Sequence, residues 1–460
     1  MAGERVSSSA EGRGSAARLT LSQRLSLAVM LFSMFFGAGN LILPPFLGYL
    51  SGTEAPAATV GFLVSGIGLP VLGVVSVAFS GDIRALAGRV GPRFAQAFVA
   101  LVYLAIGPCL AIPRTSSTAF EMLVPLLPEG TSVGVAQLAF SVAFFAVALA
   151  MAMRPGALSR LLGRITGPLL IALVVLIVGA AVVAPSGVPG PVQAPYDAGA
   201  LPQGFLTGYQ TMDLLASLTF GLVIAKNACE MGVSEKGRVA AEVSRAGVVA
   251  GVLMALIYCG LAWVGVSAGE GAVGSANGAA VLSASAAAHF GVGGTALVAA
   301  IFLLACLNVC VGLVSCCGTY FAATFGADAE RPVRGFVGRL GYRAWALAFA
   351  GFSCAVSNLG LTAIVAFSVP LLSSLYPPAI VLVLLGMARG RLGEALGRHR
   401  LAWVLSVTVS IVVSASVSVR DAVVPALGLP FDALPLAGVG MAWVVPTVVA
   451  LVVGLAVRNR

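Results

Sequence analysis

Charge is what this sequence has least of. Only 9% of its 460 residues are Asp, Glu, Lys or Arg, against roughly 25% in soluble domains. With 59% hydrophobic residues there is too little polar surface to wrap a water-soluble core, and a soluble enzyme is excluded. Histidine is scarcer still. The two present, His289 and His399, fall between the apolar runs, so no Ser-His-Asp or metal-hydrolase constellation assembles. A G-x-x-x-x-G-K-[ST] loop is missing, which leaves no nucleotide site. The eight cysteines, Cys109, Cys229, Cys259, Cys306, Cys310, Cys316, Cys317 and Cys354, lie in or at the ends of apolar runs. None has metal-site spacing with a histidine, and adjacent Cys316 and Cys317 project differently from a helix, so they read as small packing residues.

What the chain does have is apolar runs of bilayer length, about 20 residues each. Twelve are predicted, at about 23–46, 57–80, 94–114, 135–153, 163–184, 204–226, 240–266, 295–325, 336–354, 361–388, 401–419 and 436–457. The basic residues test that count, because Lys and Arg gather on the cytoplasmic side. With the N-terminus inside, 24 of the 26 fall in inside segments. These include Arg5, Arg13, Arg18 and Arg24 at the start, Arg84, Arg89 and Arg93, then Arg154, Arg160 and Arg164. Lys226, Lys236, Arg238 and Arg245 follow, then Arg331, Arg334, Arg339 and Arg343, and finally Arg389, Arg391, Arg398, Arg400, Arg458 and Arg460. Only Arg114 and Arg420 fall outside, where Glu54, Glu121, Glu129, Asp197, Glu270, Asp421 and Asp432 give an acidic excess. Both termini are therefore expected in the cytoplasm. The net charge of +9 follows from this topology and calls for no nucleic-acid partner. Residues 1–20 read as a disordered tail, and the run after them, too long for a signal segment and without an A-x-A-like site, as an uncleaved first span.

The stretch FFGAGNLILPPF, Phe35 to Phe46, puts two glycines, an asparagine and two prolines where a spanning helix should be continuous. Close helix packing is the bland explanation of Gly37, Ala38 and Gly39, but that motif needs a spacing of four. Gly37 and Gly39 lie about 200° apart on a helix, so a broken helix fits better. In hydrocarbon every backbone N–H and C=O needs a partner, so a break survives only where it lines a cavity or ligand. It exposes N–H groups at the positive end of the following half-helix, a site for a carboxylate. Carbonyls near Ser33 and Phe36 can ligate a cation.

Splitting the first ten runs five and five starts the second group in the opposite orientation, the arrangement of an inverted repeat whose leading helices are broken. The repeats would span about 23–184 and 204–388 within a core of 21–388, followed by two additional C-terminal helices in 389–460. The second leader carries GYQTMDLLASLTFG, with Thr211, Asp213, Ser217 and Thr219 inside an apolar run. ANGAAVLSASAAAHF, Ala276 to Phe290, predicts a short helix over the outer entrance.

Asp213 is the acid placed well inside the bilayer, where a charge costs about 2.5–3.5 kcal/mol. A substrate ammonium, a cation or a proton relay offsets that; a structural hydrogen bond is the competing explanation. Arg114 in AIPRTSSTAFE is read as pairing with Glu121 rather than touching substrate. Asn308 offers an oxygen to a cation or a hydrogen bond between helices. Tyr103, Met212 and Phe220 are candidates to wall an apolar side-chain pocket.

Several segments, in order, carry a resemblance over nearly the whole chain: FFGAGNLILPPFLG, IGLPVLGVV, YLAIGPCLAIPRT, GFLTGYQTMDLLASLTFGLVI, SANGAAVL, ACLNVCVGLVSCC, SNLGL, SVPLLSSLYPP and AWVVPTVV. Together they resemble the branched-chain amino acid to cation symporter family, the bacterial branched-chain amino acid transport system II carriers. The resemblance implies an all-α integral membrane protein of leucine-transporter type, with about 12 transmembrane helices in a 5+5 inverted repeat plus two C-terminal helices. It implies uptake of leucine, isoleucine and valine driven by sodium or protons. By position, the backbone at Gly37, Ala38, Gly39 and Asn40, with Ser217, would receive the substrate. Carbonyls of Ser33 and Phe36 with the helix around Asn308 would form a sodium site, although the family tends to offer hydroxyls where this chain has Asn308 and Val309.

The sequence therefore predicts a secondary transporter of the bacterial plasma membrane that is not an enzyme and needs no cofactor. Its partners are branched-chain amino acids, a coupling cation and membrane lipids, with sodium favoured over a proton. The substrate-binding candidates are Gly37, Ala38, Gly39, Asn40, Asp213, Ser217, Phe220 and Tyr103. The cation candidates are Ser33, Phe36 and Asn308. A related carrier of other apolar amino acids is the rival. A channel would need a continuous polar pore that these runs do not offer, and a membrane enzyme lacks its acid-base cluster.

Overall fold

The computed structural model describes residues 19–154, 162–268, 272–275, 277–329, 335–392, 399–424 and 427–457. The tail up to Arg18, together with Arg160, Glu270, Ala276, Arg331, Arg334, Arg398, Arg458 and Arg460, lies outside the described residues. Among the described residues every regular element is helical. Eight stretches are long and apolar enough to cross a membrane, and a bent pair makes a ninth.

Helix α1 (Leu21–Phe35) starts on a capping box in which Thr20 and Gln23 satisfy each other's backbone N–H. It stops because Gly37 is extended, at φ −115 and ψ −162, and α2 (Ala38–Ser51) resumes at once. Asn40, Pro44 and Pro45, expected to help unwind the run, sit inside α2. The break is confined to Phe36 and Gly37. A ring in the helix interior removes one hydrogen bond and tolerates helical φ, and packing supplies the rest. Gly52, at φ +47, ends α2 in a conformation that favours glycine.

Next come α3 (Ala55–Leu63) and α4 (Leu69–Ser80), joined by a π turn, then α5 (Pro92–Leu104) and α6 (Ala111–Glu121). A second π turn, Ala105–Cys109, kinks the chain between α5 and α6 where Gly107 leaves helical geometry at φ −92 and ψ −128. Single helices follow at α7 (Val133–Ala152) and α8 (Gly167–Val183). The bent pair is α9 (Ala200–Tyr209) and α10 (Asp213–Glu230), inclined at 46° across a second break. Beyond it lie α11 (Lys236–Val266), α12 (Gly278–Phe290), α13 (Val292–Thr324), α14 (Tyr342–Ser357), α15 (Leu361–Leu392), α16 (Arg400–Val423) and α17 (Val444–Ala456). The last run is shorter than its composition predicts. Pro430, Pro435 and Gly440 break residues 430–443 into turns, and only Val444–Ala456 is α-helical.

Small residues let the broken helices press into their neighbours. A Cβ on Gly265 of α11 would overlap the Pro45 carbonyl of α2, and one on Gly204 of α9 would overlap the Ala58 carbonyl of α3. Helix α2 lies against α11 and α12, α10 against α4, and α6 against α13, while α16 and α17 pack outward from α15. The outer faces expose Val135, Leu138 and Val142 on α7, Leu169 and Leu176 on α8, and Val448 and Val452 on α17. In water such faces are a liability; against lipid tails they are the ordinary surface of a spanning helix. In the turn after α16, the Leu429 N–H and the Arg420 guanidinium hold the Asp432 carboxyl below its usual range.

Candidate functional site

The two breaks face each other. The first frees both half-helix ends: Phe36 N–H still closes on the Phe32 carbonyl, but Gly37 N–H turns to Asn40 Oδ1 at 3.4 Å. The Ser33 carbonyl thereby loses its i+4 donor. On the other side, the first intrahelical bond of α2 runs from Leu41 N–H to the Gly37 carbonyl. The N–H groups of Ala38, Gly39 and Asn40 therefore emerge at the positive end of α2 with no intrahelical acceptor. These three residues are helical rather than unwound, so the N–H groups form an ordered set. The second break places Met212 in the left-handed region at φ +67, immediately before Asp213 opens α10.

Between them lies a cavity whose walls include Phe35, Gly37, Ala38, Gly39, Asn40, Ile106, Arg114, Thr211, Asp213, Phe220 and Val309. Its free volume, about 40 Å³, exceeds the roughly 10–15 Å³ that one water needs. Asp213 is 3% exposed, and two side chains compensate the burial of its carboxyl. Asn40 Nδ2 donates to Asp213 Oδ2 at 2.6 Å and also bonds Tyr258 Oη, and Tyr258 O–H donates to the same carboxylate oxygen at 3.4 Å. Asp213 N–H meets Thr211 Oγ1 at 3.3 Å. Phe220 approaches Phe35, ring centroids 5.3 Å apart, to make an apolar wall.

Of the candidates named from sequence, Gly37, Ala38, Gly39, Asn40, Asp213 and Phe220 line this cavity, as does Met212. Ser217 and Tyr103 are not among the lining residues. Ser217 Oγ donates to the Leu214 carbonyl and packs where a Cβ on Gly73 would sit. Tyr103 stacks on Tyr320 with ring centroids 3.8 Å apart, a partner 217 positions away that no local pattern reveals. The Ser33 hydroxyl donates to the Leu162 carbonyl at 3.1 Å, which leaves its main-chain oxygen for any ion. Phe36 stacks on Phe32 at 4.9 Å. Asn308 is fully buried, and neither amide atom has a hydrogen-bond partner. Free main-chain carbonyls and an orphaned amide oxygen are the hard donors an alkali cation takes. Among the described residues no group of three His, Cys, Asp or Glu gathers to hold a transition metal.

Arg114 is the residue whose place sequence reasoning misjudged. It lines the cavity and donates to the Gln210 carbonyl at 3.2 Å, whereas Glu121 is exposed at the far end of α6. The signal was present, since an arginine inside an apolar run is costly enough to mark a functional position.

Paired helix breaks around a charged cavity, in a helical protein with eight bilayer-length apolar stretches among the described residues, define a multi-pass membrane transporter. The solved structure of Mhp1, a nucleobase-cation-symport-1 family transporter in a closed conformation, superposes at TM-score 0.59 with 15% identity, covering 94% of this chain and 91% of that one. A manganese transporter of Eremococcus coleocola superposes at 0.55 with 13% identity, covering 94% of each. At these identities the likeness is one of fold. The chain belongs to the family described as branched-chain amino acid transport protein, whose profile matches residues 20–460. It is 38% identical over 434 residues to the branched-chain amino acid transport system 3 carrier protein of Pseudomonas aeruginosa, covering 93% of this chain and 94% of that one. It is 34% identical over 446 residues to the branched-chain amino acid permease BraB of Bacillus subtilis, covering 95% of each. These relatives are named carriers and permeases, not enzymes.

Proposed function

We propose that this protein imports leucine, isoleucine and valine across the plasma membrane by symport with a cation, sodium being the ion we assign. The observation that carries the proposal is the cavity bounded by both helix breaks, with the amino end of α2 on one side and Asp213 on the other. An α-amino acid needs an anion site and a cation site a few ångströms apart. The N–H groups at Ala38, Gly39 and Asn40 offer the first, Asp213 with Asn40 and Tyr258 the second. Phe35, Ile106 and Phe220 suit a branched aliphatic side chain.

The coupling ion is assigned to the Ser33 and Phe36 carbonyls with the Asn308 amide oxygen. A tenfold cation gradient is worth about 1.4 kcal/mol and 100 mV about 2.3 more per charge, enough for roughly several-hundred-fold accumulation. We read the helices as twelve crossings, with α1–α2, α3–α4, α5–α6 and α9–α10 each counting once and α12 as an outer helix. They form two inverted repeats of five at about 23–184 and 204–388, two helices in 389–460, and cytoplasmic termini. The basic residues favour that topology. The buried Asp213 motivates a second reading, proton coupling. Uptake of labelled leucine into proteoliposomes, in competition with each of the twenty amino acids, tests the substrate. Competition by isoleucine and valine above all others is expected; stronger competition by another apolar amino acid would reassign it.

A further inference from the structure

Arg114 and Asp213 line the same cavity, yet no ion pair joins them among the described residues. Asp213 is held on its own side by Asn40 and Tyr258. The guanidinium is held by other partners. The kink at Ala105–Cys109 redirects the chain into α6, and Nη1 reaches the Gln210 carbonyl in the second break. Nη2 lies 3.3 Å from where a Cβ on Gly39 would stand, over the first turn of α2. Nε is buried without any partner.

Burying one charge at membrane depth costs about 2.5–3.5 kcal/mol on insertion scales, and direct contact is the cheapest remedy. This cavity keeps two opposite charges apart instead. A ligand carrying both signs satisfies that arrangement. A guanidinium offers five fixed donors suited to a carboxylate, and only one donor is committed to the main chain at Gln210. It stands beside the N–H groups of Ala38, Gly39 and Asn40, which also seek an anion.

We propose that Arg114 is the specificity-determining counter-charge for the substrate carboxylate, so that the site selects zwitterions and rejects amines of the same side chain. This rests on the reading of the chain as an amino acid carrier. The main-chain N–H groups alone would hold a carboxylate or an amide oxygen with modest preference; the guanidinium makes the preference steep. Because the two cavity charges cancel, the loaded site is neutral overall.

The test measures binding of leucine and leucinamide to the purified full-length protein in nanodiscs. Arg114→Gln is expected to weaken leucine at least tenfold and leave leucinamide within twofold, with Arg114→Lys in between. An equal change for both ligands, or none for leucine, overturns the proposal. Should the variants fail to fold, phenylglyoxal labelling of Arg114 in the unaltered protein, read by mass spectrometry, decides. Saturating leucine is expected to protect it, and labelling indifferent to leucine contradicts the assignment. Failure of the unaltered protein to bind leucine at all would strike at the proposed function itself.

Discussion

Asn40 and Asp213, 173 positions apart, are joined by a hydrogen bond of 2.6 Å from Nδ2 to Oδ2. One stands in the first turn of the half-helix after the first break, the other opens the half-helix after the second. The same amide also accepts from Gly37 N–H through its Oδ1. A single side chain thus shapes the anion-seeking end of α2 and orients the carboxylate opposite. Hydrogen bonds to charged groups are worth about 1.5–3 kcal/mol. Asn40→Ala is therefore expected to weaken leucine binding roughly 10- to 100-fold, measured by equilibrium binding to purified protein that still migrates as a folded species.

Gly39 and Gly204 separate binding from folding. A Cβ at Gly39 meets Arg114 Nη2 at 3.3 Å and Thr211 Cα at 3.5 Å, both bordering the cavity, whereas one at Gly204 overlaps the Ala58 backbone between α3 and α9. Gly39→Leu should abolish leucine binding while leaving protein in the membrane. Gly204→Leu should deplete folded protein altogether. Fluorescence size-exclusion profiles and binding assays on both variants check the contrast, and unchanged affinity in Gly39→Leu would return that glycine to a packing role.

The first break was legible because Gly37 and Gly39 thin opposite helix faces and a membrane tolerates such a break only at a cavity. Its position was less so: the prolines drew attention downstream, yet both fit inside α2. The second break was only half legible. Thr211 and Asp213 marked the segment, but Met212, a good helix former, gives no hint that it adopts φ +67; the surroundings impose that. Arg114 was visible as an oddity, but its direction depends on the kink at Gly107, and local spacing pointed to Glu121 instead. Tyr103 faces Tyr320 and Ser217 faces Gly73, contacts fixed by packing that sequence proximity does not encode.

Away from the cavity, Glu242 on α11 is buried and accepts from Arg24 through both oxygens, at 2.8 and 2.9 Å, and from Arg245 at 2.8 Å. The Arg24 side chain is 37% exposed and Arg245 61%. Removing one partner of a fully buried pair costs about 3–5 kcal/mol, and water reaching both arginines reduces that. Glu242→Ala is expected to destabilise by about 1–3 kcal/mol, against less than about 1 kcal/mol for Arg245→Ala. Melting temperatures in one detergent rank the two, and a Glu242→Ala protein that melts like the unaltered chain would remove the cluster from the account.

Driven uptake tests the central claim, that the cavity between the two breaks belongs to a cation-coupled amino acid carrier. Purified protein is sealed into proteoliposomes, and labelled leucine is followed under an inward sodium gradient at fixed pH, then under an inward proton gradient without sodium. The account predicts leucine accumulation above its outside concentration under the sodium gradient, lost in Asn308→Leu. Accumulation driven by protons alone and lost in Asp213→Asn would overturn the sodium assignment, and leucine that merely equilibrates under both gradients would contradict the symporter itself.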